Sequence, residues 1–169
     1  MTAPEGQKDG RTEGGDASHF RPSVFPSPGR LLGVDWGARR IGLALSDESR
    51  LLAQPLTTLT RRAGKRFPMR QLLTLVDQHA VTGVVVGLPL DPDGAEGDGA
   101  RAARRLAEDI GRHSGRPVEL WDERFTTSRA IQAVREMSGS TRGRKGDVDA
   151  LAAAVLLQHY LDARRGGTT

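Results

Sequence analysis

Cysteine is absent from this chain of 169 residues. No disulfide framework can form, and no zinc site built on thiolates. That absence suits a reducing compartment, and a cytoplasmic location is the expectation. Aromatic residues are scarce, at 4% of the sequence. The core must therefore be assembled from Val, Leu, Ile and Ala, and the rings are too few to announce a platform for stacked single-stranded bases. No apolar run reaches the roughly 18 residues of a membrane span, so no membrane partner is expected. The opening MTAPEGQKDGRTEGGD has no apolar h-region, which argues against a secretory signal.

What the chain does carry is positive charge. It has 25 Lys and Arg against 21 Asp and Glu, a formal net charge of +4. This balance fits a polyanionic partner, nucleic acid (RNA, DNA or both) first, or simply a soluble protein rich in Arg.

Residues 1–29 are rich in Gly, Pro, Ser and charge and read as a disordered tail. A short apolar patch at Val24 and Phe25 lies between prolines and is able to pack on the domain. The ordered domain is expected over residues 30–163, with 164–169, RRGGTT, fraying. LLGVDWG and IGLALSD are strand-like runs separated by Ala-Arg-Arg, which predicts a β-hairpin. Leu51 to Leu59 forms a third strand, with Pro55 marking an edge or an end. Pro68 suits the first position of a helix, and MRQLLTLVDQH has helical periodicity. VTGVVVGLPL is apolar on both faces and reads as a central parallel strand. ARAARRLAEDIGRH is an amphipathic helix, Pro117 to Trp121 a strand, and Thr127 to Met137 a helix with a Thr cap. SGSTRGRKG is a flexible basic loop, and DVDALAAAVLLQHYLDA a strong final helix. The sum is one α/β domain, a mixed sheet with helices on both faces.

Four acidic positions stand out. Asp35 interrupts a strand expected to be buried, where a charge is costly unless paired or metal-bound. It reads either as the cap of the hairpin turn or as a ligand. Glu123 lies just past the strand VELW, at a sheet edge where open α/β folds place sites. It reads equally as part of a surface Asp-Glu-Arg turn. Asp147 and Asp149 open the final helix, where the helix dipole favours acids. Asp147 has the look of an N-cap, while Asp149, one turn in, should face the edge of the sheet. Three carboxylates from two strands and a helix would suit a hard cation, Mg²⁺ or Mn²⁺.

The blocks GVDWGARRIGLALSD, VVVGLPLDPDG, VELWDERFTT and KGDVDALAAAVLLQHYL resemble, in order and spacing, those of the YqgF/RuvX family. The resemblance runs from about Arg30 to Asp162. It implies a ribonuclease-H-like fold and a metal-dependent nuclease, acting either in 5′-end maturation of pre-16S ribosomal RNA or as a Holliday-junction resolvase in recombination and repair. It further implies that Asp35, Glu123 and Asp149 are the catalytic, metal-binding acids, with Asp147 and Asp122 ranked behind them.

Several cations are candidates for holding nucleic-acid phosphate. Arg39 and Arg40 lie in the hairpin turn and Arg124 beside Glu123, while Arg142, Arg144 and Lys145 form a Gly-rich basic loop near the final helix. Arg61, Arg62, Lys65 and Arg66 form a further basic cluster. For each, a merely solvated surface is the competing reading.

Other motifs fail. Gly64-Lys65 is followed by Arg66 and lacks the upstream glycine of a phosphate-binding loop, and Asp91-Pro92-Asp93-Gly94 places its glycine too early for an EF-hand. The histidines have no zinc spacing. An Asp-x-Gly hairpin also cradles phosphates in two-lobed ATPases and sugar kinases, but this chain has length for one lobe. A non-catalytic RNA-binding protein is the remaining alternative. A resolvase would need a homodimer with paired sites, and no clear apolar dimer face is visible.

Overall fold

The structure, a computed structural model, describes residues 25–26, 28–62, 64–126 and 145–166, the side chains of 145–147 excepted. The expected helix at Thr127 to Met137, and Arg142 and Arg144, lie outside the described residues.

The expected hairpin is present. β1 (Arg30–Asp35) and β2 (Arg40–Ser46) are antiparallel, and β3 (Ala53–Thr60) pairs on the far side of β2. β4 (Val81–Leu88) runs parallel to β1, and β5 (Val118–Asp122) parallel to β4, giving the sheet order β3-β2-β1-β4-β5. β3 is therefore an edge strand. Its register shifts where Ala44 faces Pro55, so the residue lacking an N–H sits at an irregularity of an edge.

Among the described residues, three α-helices cover the sheet. α1 (Met69–Gln78) starts one residue after Pro68, and α2 (Asp98–Ser114) ends on Gly115, whose left-handed φ of 65° closes the last turn onto Gly111. Both cover one face of the sheet, with Leu32, Val34, Val84 and Val86 meeting Leu72, Val76, Leu106 and Ile110. α3 (Lys145–Gly166) covers the other face over β1, β2 and β3. There Leu31, Ala44 and Val85 meet Ala153, Leu157 and Tyr160.

The α3 side is lined with small residues, which lets the helix lie close. A Cβ on Gly33 would stand 2.8 Å from the Cβ of Leu157, and the facing helix positions Ala150, Ala152, Ala153 and Ala154 are all buried. Strand alternation then places Asp35 on this same face, two residues on from Gly33.

Phe25 and Arg164 anchor the two flanks of the described residues. Phe25 is buried, its ring lying on Gly83 and edge-on to Tyr160 at 6.1 Å. Arg50 fastens the same segment through its guanidinium to the carbonyl of Gly29 at 2.7 Å and to that of Pro26. On the other flank α3 continues through Gly166 and so includes Arg164 and Arg165. Arg164 pairs with Glu119, which also accepts a 2.7 Å hydrogen bond from the Tyr160 hydroxyl.

Candidate active site

Asp35 ends β1 and is only 4% exposed. Its partner across the hairpin is Gly42, and the pairing of Val34 with Val86 sets Gly87 at the level of Asp35 on the other neighbouring strand. Glycines thus flank the acid on both sides. On the β2 side the gap is filled by α3, because a Cβ on Gly42 would stand 1.8 Å from the carbonyl oxygen of Asp149. On the β4 side it is filled by Glu123. A Cβ on Gly87 would lie 2.5 Å from Glu123 Oε1. Glu123 opens a single turn of 3-10 helix, Glu123–Phe125, directly after β5. Three carboxylate-bearing residues are in this way delivered to one edge of the sheet. Asp35 Oδ1, Glu123 Oε1 and Asp149 Oδ2 are all shielded from solvent.

Oxygen-only donors suit a hard divalent ion, and the two glycines keep side-chain bulk out of the space between them. The residues therefore fit Mg²⁺ or Mn²⁺ chemically. Among the described residues, however, no three Asp, Glu or His side chains are gathered closely enough to form a finished metal site. The cation beside Asp149 is Arg40, with Nε 2.7 Å from Asp149 Oδ2.

Of the remaining acids, Asp122 is engaged elsewhere. It accepts from the Arg124 backbone N–H at 3.0 Å, from Arg124 Nε, and from Arg124 Nη2 at 2.7 Å. The hydrogen-bonded guanidinium holds the Asp122 carboxyl below its ordinary range. Arg124 is thus turned toward Asp122. Asp147 is not an N-cap, because α3 begins at Lys145 and so includes it in the first turn. Lys145 is likewise the first helical residue rather than part of a loop, and the side chains of both lie outside the described residues.

The structure also joins basic segments that are far apart in sequence. Arg61 donates its backbone N–H to the carbonyl of Arg39 at 2.8 Å, and its guanidinium lies 5.8 Å from the ring centroid of Trp36. The cluster beginning at Arg61 therefore stands beside Arg39 and Arg40.

A second feature was not legible in the sequence. Trp121 packs against Tyr160 at 5.3 Å and against Phe125 at 5.9 Å, and Phe125 is 70% exposed. With His159, Asp162 and Ala163, Trp121 and Phe125 line an open groove of about 480 Å³. Few rings are present in the chain, yet three of them meet next to Glu123. The signal was the placement of Trp121 and Phe125 on either side of Glu123, not their number.

Known proteins resemble this chain in sequence and in fold. The RuvX family, described as Holliday junction resolvase, matches residues 29–163. A protein of Anaeromyxobacter sp. (strain Fw109-5) named for pre-16S rRNA nuclease activity is 45% identical over 135 residues, covering 80% of this chain and 98% of its own length. A protein of the same name from Myxococcus xanthus (strain DK1622) is 42% identical over 80% of this chain and 89% of its own. Among solved structures, T. thermophilus RuvC in complex with a Holliday junction substrate superimposes with a TM-score of 0.55 at 17% identity, over 82% of this chain and 96% of that one. The likeness is one of fold, and the fold is the expected ribonuclease-H-like mixed sheet.

Proposed function

This chain belongs to the RuvX family, and on that premise we propose that it is a nuclease that hydrolyses phosphodiester bonds in pre-16S ribosomal RNA, through Asp35, Glu123 and Asp149. The observation that carries the reading is the arrival of three acids at one sheet edge, with Gly42 and Gly87 flanking Asp35.

Asp35, Glu123 and Asp149 would hold Mg²⁺ or Mn²⁺. When bound, such an ion activates water and stabilises charge on the attacking and leaving oxygens. The residues do the positioning. β1 fixes Asp35 rigidly, and α3 holds Asp149 by its main chain against Gly42. The short turn after β5 swings Glu123 over Gly87. Arg39 and Arg40, on the other side of Asp35, are placed to receive the scissile phosphate, since a guanidinium matches its two-oxygen geometry. Arg61 and Arg62 extend that track for flanking phosphates, and Arg142, Arg144 and Lys145 are proposed to bind further phosphates. Arg124 contributes through Asp122, by stiffening the turn that carries Glu123. Action on ribosomal RNA implies work in the cytoplasm. No helix among the described residues is long and apolar enough to cross a membrane.

The second reading is a Holliday-junction resolvase, favoured by the description of the family that the chain matches. It requires a dimer with two sites acting together. The third, an RNA-binding protein without catalysis, predicts binding with no cleavage. One experiment separates them. The protein is incubated with Mg²⁺ or Mn²⁺ and labelled single-stranded RNA, single-stranded DNA and a four-way junction, beside Asp35→Asn, Asp149→Asn and a chelator control. Metal-dependent RNA cutting lost in both variants is the expected result. Symmetric junction cutting by a dimer selects the resolvase. Binding without cutting of any substrate leaves the non-catalytic protein. Cutting that survives both substitutions overturns the assigned acids.

A further inference from the structure

We propose that Arg40 is a displaceable stand-in for the divalent cation: it holds Asp149 while no metal is bound, and moves to the substrate phosphate when metal loads. The inference rests on the metal-dependent reading above, and it concerns what this chain does before substrate arrives.

Arg40 Nε lies 2.7 Å from Asp149 Oδ2, an oxygen that is shielded from solvent. The contact is an ion pair without the alignment of a hydrogen bond, so Oδ2 has no hydrogen-bond partner despite its neighbour. Charge therefore holds the pair together, and no well-aligned hydrogen bond adds to it. The two residues are anchored differently. Asp149 is fixed through its main chain, wedged against Gly42. Arg40 is fixed at its root, opposite Thr60 and next to Arg39, whose carbonyl accepts from Arg61. Its side chain, however, is 40% exposed against 22% for Asp149. A long flexible side chain with a route to water can leave, whereas the carboxylate cannot follow it.

Charge decides which cation stays. A guanidinium and a divalent ion on the same carboxylate repel at close range, and the ion brings twice the charge to a group set of three acids. Metal therefore drives Arg40 off Asp149. The displaced guanidinium remains beside Asp35 on the arginine-bearing side of the site, where the incoming anion is a phosphate. Arg124 does not play this part, because its contacts with Asp122 are hydrogen bonds from both backbone and side chain. A protein so arranged keeps Asp149 compensated when empty, at the cost of weaker metal binding until nucleic acid gives Arg40 another anion. Metal and nucleic acid then bind cooperatively.

The test is calorimetric titration of Mn²⁺ into the full chain without nucleic acid, for the unmodified protein, Arg40→Gln, Arg40→Lys and Asp149→Asn. Each fold is checked by circular dichroism. Arg40→Gln is expected to bind Mn²⁺ about fivefold tighter, the worth of a partly exposed ion pair. Arg40→Lys, which keeps the charge, should stay close to the unmodified protein. Anisotropy of a short single-stranded RNA in Ca²⁺ should show Arg40→Gln binding more weakly, with a salt slope shallower by about 0.7. Mn²⁺ affinity that is unchanged or weaker in Arg40→Gln, together with binding lost in Asp149→Asn, overturns the stand-in while leaving the metal site intact. No Mn²⁺ binding by any of the proteins overturns both.

Discussion

The Cα of Gly42 faces the main-chain carbonyl of Asp149 so closely that a Cβ there would stand 1.8 Å from its oxygen. The obstacle is backbone on both sides, so no side-chain rotation relieves it. Gly42→Ala should lift the start of α3 from the sheet and carry Asp149 away from Asp35. We expect a loss of about 1–3 kcal/mol in urea unfolding, the usual cost of overpacking, and cleavage close to that of Asp149→Asn. Unaltered activity would show that α3 need not sit this close.

Gly87→Ala makes the opposite contrast. Its Cβ would meet Glu123 Oε1 and Leu156 Cδ1, both at 2.5 Å, and both are tips of flexible side chains. Stability should fall by about 1 kcal/mol, the low end for overpacking, while cleavage falls at least tenfold because the carboxylate is pushed aside. The ratio of the two effects, set beside that of Gly42→Ala, is the quantity to measure.

Phe25 predicts stability without function. Its buried ring fills the space over Gly83 beside Tyr160. Phe25→Ala should cost about 3 kcal/mol and leave RNA affinity at low temperature within twofold. A loss of affinity as large as the loss of stability would give the N-terminal segment a role at the site.

Asp47 gives a pH dependence. The backbone N–H of Leu52, the Ser49 hydroxyl and the N–H of Leu51 all donate to its carboxylate and hold it at about 2, against 3.8 ordinarily. A depressed carboxyl contributes stability above its unfolded value and loses it as pH falls through the folded one. Asp47→Asn should therefore be less stable at pH 7, with the difference shrinking from about pH 4 and gone near pH 2. A difference that holds constant across that range would exclude the carboxylate as its source.

Much of this was legible in the residues. The hairpin, the buried parallel strand and the final helix carry strong patterns, and Asp35 stood out as a charge inside the apolar run LLGVDWG. The alanines of α3 announced close packing. What they could not announce was its counterpart, since Gly42 and Gly87 become meaningful only once pairing sets them level with Asp35. Arg39 and Arg61 are brought together by a third strand, and Arg124 reaches Asp122 through a 3-10 turn that no periodicity marks. Asp147 looked like a cap because the preceding Lys-Gly reads as loop, yet both residues are helical. Partnerships across strands depend on register, and register is a property of the assembled sheet.

The covering of β1, β2 and β3 by α3 also sets an order in time. The hairpin precedes the helix in the sequence, so Leu31, Ala44 and Val85 wait without their cover until α3 has been made. Asp149 reaches Asp35 only when that cover closes. Burying that apolar face and seating the main chain of Asp149 against Gly42 are thus a single event in the folding of the chain.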